Sequence, residues 1–145
     1  ALFDNLNSSV ELPDNILANY HFGVGSVSTV LGRSYSDIIL DEFSTTISSK
    51  RIATLNISDL IKTSLNTSCN YESITNDCLN DNWLNSNLWT MNYKSETEIW
   101  NTYSNQFLSS TVLQNTYRNA YLVILLKPDV KVKGDGTVNN PYKVV

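Results

Sequence analysis

Apolar residues recur at helical spacing in two places, both in the first half of the chain. Tyr35, Ile38, Ile39 and Phe43 fall at i, i+3, i+4 and i+8, the pattern of one buried helix face. Ser34 with Asp37 three residues later resembles a capping box, Asp replacing the usual Glu. Asp37, Asp41 and Glu42 read as the solvated side. A second helix is predicted to be capped by Ser58, with Ile57 at the staple position and Leu60, Ile61 and Leu65 as its buried face. Pro13-Asp14 marks a short helix or turn, and Ser26 to Gly32 a loop or edge strand.

Elsewhere the pattern is that of strands. Tyr20–Val24 and Arg51–Asn56 come first. From Trp83 onward only short strands and loops follow: Leu88–Met91, Glu98–Tyr103, Gln106–Leu108, Tyr121–Leu126, Val130–Lys133 and Tyr142–Val145. The run Tyr121–Leu126 is wholly apolar, too short for a membrane span, and reads as a strand buried on both faces. Pro128 stops it, and Gly134-Asp135-Gly136 supplies the positive-φ residues of a tight turn. Helices each followed by β-type sequence indicate an α+β domain. With no repeat, linker or boundary, residues 1–145 read as one domain.

Composition narrows the function classes. The 145 residues carry 41% apolar and 10% aromatic side chains, enough for a real core. Charged residues are only 17%, while roughly a third of the chain is Asn, Ser or Thr. Such a surface suits extracellular adhesins and carbohydrate-contacting modules; an AT-rich coding sequence would give the same bias. A net charge of −4 with scattered Lys and Arg argues against nucleic acid and against an anionic membrane as partner. The chain lacks an initiating Met and any signal-length apolar run, as a processed or excerpted ectodomain would.

Cys69 and Cys78 are the only cysteines. Their spacing fits neither a C-x-x-C redox pair nor a zinc knuckle. A disulfide closing the polar loop between them is expected, and with it an oxidising compartment. The alternative is two free thiols in a cytosolic protein.

Catalytic signals are sparse. His21 is the only histidine, and no nucleophile motif accompanies it. Asp41-Glu42 and Glu96 with Glu98 are paired carboxylates, but both read as solvated faces. Gly134-Asp135-Gly136-Thr137 lacks the ligand spacing of an EF-hand. Asp77, Asp81 and nearby asparagines could in principle hold calcium. No cofactor and no metal site is expected, and no enzymatic role. Trp83, Trp89, Trp100, Tyr93, Tyr103 and Tyr117 are concentrated in an Asn- and Ser-rich stretch. Aromatic faces stack on sugar rings or anchor protein interfaces; Trp89 and Trp100 are assigned to the core. Trp83, Tyr93 and Tyr103 are then the candidate ligand contacts, with Asn82, Asn85 and Asn87 as hydrogen-bonding partners.

The order of motifs also carries a resemblance. Asn56–Asp59 (NISD) precedes a helix, and the Cys69–Cys78 loop ends just before Asn82-Trp83-Leu84. Leu88–Met91 (LWTM), Ile99-Trp100, LLKPDV at Leu125–Val130 and GDGT…NPYK at Gly134–Lys143 complete it. From residue 51 onward this is similar to a C-terminal module of Gram-positive bacterial surface and pilin-like proteins, which ends in a "VRPV-x-x-LK…SGDGT–NPY" pattern. The chain departs from it at Tyr117–Tyr121, where a Gly-Val-Arg-Pro turn is usual, so Arg118 stands as a displaced equivalent of the family arginine. The resemblance implies a C-type lectin-like fold, with two helices, small antiparallel sheets and long loops. It also implies a non-enzymatic cell-surface binding module, adhesin or minor-pilin-like, for a glycan or a host or neighbouring-cell protein. The alternatives are a structural subunit packing with copies of itself in a pilus or surface filament, and a phage or secretion fibre tip.

Overall fold

The computed structural model describes residues 16–84, 87–111, 117–137 and 139–145; the predicted turn at Pro13 and the candidate Asn85 lie outside them. Among the described residues the protein is α+β, two short α-helices among small antiparallel sheets. In chain order the elements are β1 (Tyr20–Gly23), α1 (Tyr35–Glu42), β2 (Thr46–Lys50), β3 (Ile52–Thr54), α2 (Ile57–Lys62) and a 3-10 turn at Asn76–Leu79. Then come β4 (Trp89–Tyr93), β5 (Glu98–Tyr103), β6 (Gln106–Thr111), β7 (Leu122–Ile124), β8 (Val132–Lys133) and β9 (Lys143–Val144). β1 pairs with β2, β3 with β7, and β8 with β9, while β4-β5-β6 form a meander.

The main core gathers where α1, α2, the 3-10 turn and the meander meet, around Ile38, Ile57, Leu60, Ile61, Ile74 and Leu88. Trp100 closes it from β5 and donates its indole N–H to the Val27 carbonyl, satisfying the polar edge of a buried ring. A smaller cluster of Phe22, Ala53 and Met91 lies beneath β1, β3 and β4. Val27 and Val30 are fully buried although their segment reads as polar. Ile74, inside the disulfide-closed loop, is buried too.

Helix α1 begins as predicted: Ser34 Oγ accepts the Asp37 N–H at 3.1 Å. Its buried face differs. Ile38 is buried and Phe43 is exposed, while Glu42, expected at the solvent, is completely buried. The reason lies at α2. That helix starts two residues earlier than predicted, with Asn56 as N-cap and the Asp59 carboxylate accepting the Asn56 N–H at 2.8 Å. Ser58 is not the cap. Its N–H donates to Glu42 Oε1 at 2.8 Å and its hydroxyl to Oε2, so α1 caps α2 from outside. Ile57, Leu60 and Ile61 are buried as predicted, whereas Leu65 lies beyond the helix and is 62% exposed.

The largest correction concerns Tyr121–Leu126. Only Leu122–Ile124 form a strand, and Leu122, Ile124 and Leu125 are 52%, 43% and 40% exposed. β7 belongs to a two-stranded ladder, Ile52 opposite Ile124 and Thr54 opposite Leu122. Val123 faces the small core. Alternation then turns Leu122 and Ile124 the other way, and nothing among the described residues layers over them deeply enough to bury them.

Candidate ligand-binding surface

The β5–β6 hairpin closes through Ser104 and Asn105, both at positive φ (48° and 57°), between the paired residues Tyr103 and Gln106. Two such central residues are what a type I′ turn requires, and its twist matches that of the strands. Asn87 Oδ1 accepts the Ser104 N–H at 3.2 Å and ties the turn to the approach of β4. Asn119 pairs with the same approach: its N–H donates to the Asn87 carbonyl at 2.7 Å and its carbonyl accepts from Trp89 at 2.9 Å. These bonds bring the Tyr117-Arg118 segment against the end of the meander.

There Arg118 lies along one face of β5. Asn101 and Tyr103, two residues apart, share that face, while Trp100 and Thr102 turn to the core. Arg118 Nε donates to Asn101 Oδ1 at 3.0 Å, and Nη1 donates to the Tyr117 carbonyl at 2.8 Å. The guanidinium carbon stands 4.5 Å from the Tyr103 ring centroid, a cation–π stack. Asn101 is fully buried and its Nδ2 donates to Ser110 Oγ at 3.0 Å, which fixes the oxygen toward Arg118. Tyr103 is 47% exposed and Tyr117 88%, so a half-buried, anchored cation lies against one exposed ring and next in sequence to another.

The sequence candidates therefore separate. Tyr103 and Asn87 are brought together, joined by Arg118 and Tyr117, which were not among the proposed contacts. Tyr93 is exposed but sits opposite Ile99 near the other end of β5, roughly 13 Å along the strand from Tyr103 at the usual rise. Trp83 is exposed, and among the described residues no hydrogen bond or ring stacking joins it to this group. Asn82, expected to bond a ligand, is buried. Its Nδ2 donates to the Leu60 carbonyl at 2.6 Å and to that of Cys78 at 3.2 Å, and its Oδ1 accepts from Thr63 and Leu84 at 2.9 and 3.0 Å. All four bonds of the amide are spent within the fold, three of them joining the C-terminal end of α2 to the 3-10 turn and the fourth holding the Leu84 N–H. The sequence signal for Arg118 is its position between Tyr117 and Tyr121.

Cys69 and Cys78 form the predicted disulfide. Cys78 is wholly buried, so the bridge anchors the loop to the core rather than merely stapling a surface turn. Asp77 in that region is occupied by Asn80 Nδ2 and Thr75 Oγ1 at 3.2 and 3.3 Å. Among the described residues no three His, Cys, Asp or Glu side chains gather as a metal site would need. Gly134 and Gly136 have the predicted positive φ, but the connection from β8 to β9 is a longer loop in which a Cβ on Gly136 would strike the Tyr142 ring at 2.6 Å.

Burial pushes the Glu42 carboxyl up to about 7, against the opposing effect of its Ser58 bonds. Burial also raises Asp59, opposed by the Asn56 N–H. Glu42 is sealed from solvent, so its shift records packing at the α1–α2 joint and not a cleft. His21 is exposed on β1. Among the described residues no helix is long and apolar enough to cross a membrane.

No protein-family model matches this chain, and no curated protein or solved structure shows significant similarity to it.

Proposed function

We propose that this chain is an extracellular, disulfide-bridged binding module of a bacterial cell-surface protein, adhesin-like or at a minor-pilin-like tip, with a C-type lectin-like arrangement. It recognises a glycan or a host or neighbouring-cell protein without chemical turnover. The observation that carries this reading is the solvent-open group of Tyr103, Tyr117, Arg118 and Asn87 at one end of the meander. Aromatic faces offered beside fixed polar groups suit the apolar faces and hydroxyls of sugars. The disulfide, the hydroxyl- and amide-rich composition and the pairing of two helices with small antiparallel sheets also support it. Trp83 and Tyr93 remain on the surface as separate contact points.

Binding of the oxidised chain to a broad glycan array, with calcium and again with chelator, tests the reading. A saturable signal retained in chelator is expected, because among the described residues no three His, Cys, Asp or Glu side chains gather to hold calcium. A blank array would transfer the proposal to the second reading, a subunit that packs with its own copies in a pilus or surface filament. The exposed apolar side chains of β7, β8 and β9 favour that alternative.

A further inference from the structure

Arg118 differs from two other cations among the described residues. Arg33 bonds Asp41, and Lys94 lies 3.7 Å from Glu98. Among the described residues no carboxylate stands at ion-pair distance from Arg118. Its contacts are neutral instead: an amide oxygen, a carbonyl oxygen and a tyrosine face. These hold the plane of the guanidinium in place and leave its charge uncompensated. Side-chain entropy normally weakens an exposed arginine as a binding group, and here part of that cost is already met by the fold.

We infer that Arg118 is the specificity residue of the proposed surface and takes a carboxylate carried by an acidic sugar, a uronic or sialic type of unit. This rests on the binding-module reading and narrows it. A planar guanidinium matches a carboxylate with two parallel N–H bonds, which a lysine cannot reproduce. Tyr103 stacks under that cation, and Tyr117, next in sequence and 88% exposed, offers a free aromatic face of the kind that suits the apolar side of a pyranose ring. A polyanion such as nucleic acid needs a stripe of cations, and the overall charge of −4 opposes it. An acidic peptide would be held best along a free strand edge, but β5 is the middle strand of its sheet, paired on both sides.

The test is an NMR titration of the oxidised, 15N-labelled chain with glucuronate, with glucose, and with a capped acidic dipeptide, at constant ionic strength. Glucuronate should shift the amides of Asn87, Asn101 to Ser104 and Arg118 to Asn119, and bind about tenfold tighter than glucose, the value of one charge-assisted contact. Arg118→Lys should abolish that preference while the amide spectrum keeps its native dispersion; Arg118→Ala serves as the stronger variant if it folds. Glucose binding as tightly as glucuronate at these residues, or Arg118→Lys keeping the preference, would overturn the inference and leave the binding-module reading intact. A dipeptide that matches glucuronate would reassign the arginine to protein recognition and equally overturn it. No shift at this surface with any of the three would count against both.

Discussion

The helical half and the C-terminal strands of this protein handle similar apolar runs in opposite ways. Around α1 and α2, Ile38, Ile57, Leu60 and Ile61 are buried nearly completely, and even a carboxylate, Glu42, is drawn in with them. In β7 to β9, Leu122, Ile124, Val132 and Val144 remain between two fifths and just over half exposed. The difference lies in layers. α1 packs on α2, and α2 packs in turn on the 3-10 turn and on β4. The terminal ladders are each two strands wide, and such ladders have little stability of their own. Burial is a property of what covers a residue, and the apolar run alone does not supply the cover.

The comparison is sharpest in a pair of substitutions. Ile61→Ala should cost about 2–5 kcal/mol through lost transfer energy and a residual cavity, whereas Leu122→Ala should cost less than about 1 kcal/mol. Urea denaturation of the two variants measures both. Equal costs would mean that β7 is covered in solution by something else, such as a second copy, and the concentration dependence of the melt would then reveal it.

The Glu42 joint gives a pH signature. Its folded-state pKa, about 7, lies above the ordinary value of 4.5, so the folded state holds the proton more tightly. The stabilisation is fully present below about pH 4.5, falls away as the pH rises through about 7, and amounts to roughly 3 kcal/mol. Asp59, raised by the same cause, acts in the same direction. In Glu42→Gln this slope should largely vanish, leaving the smaller part due to Asp59. Thermal melts between pH 4 and 8 would show it, and an unchanged slope in the variant would place the titrating group elsewhere.

Reducing the Cys69–Cys78 bridge should remove roughly 2–3 kcal/mol in the chain-entropy view. Melts with and without reductant measure this, and the loss should appear in the helical half, where Cys78 and Ile74 join the core. The smallest effect is expected at the hairpin turn. Ser104 holds a positive φ that glycine adopts without penalty, so Ser104→Gly should stabilise by about 0.5–1 kcal/mol. Because the same turn positions Tyr103, its effect on ligand binding would show whether the surface depends on the rigidity of the hairpin.

The sequence by itself determined the α+β class, the start of α1 at Ser34, the apolar face of α2 and the exact span of β5 at Glu98–Tyr103. Those features are local: a cap, a helical period and an alternation each act within a few residues. Cysteine spacing indicated the disulfide for a comparable reason, since few other roles suit two cysteines so placed. Three results needed the tertiary structure. Glu42 reads as a solvated acid until Ser58 is brought to it from 16 residues away. Asn82 reads as a ligand contact until Leu60, Thr63 and Cys78 claim its amide. Tyr103 and Arg118 are separated by a strand and a connection, and only the pairing of Asn119 with the approach to β4 stacks one on the other. In each case the deciding partner is distant in the chain, and a pattern of neighbours carries no information about which distant group arrives.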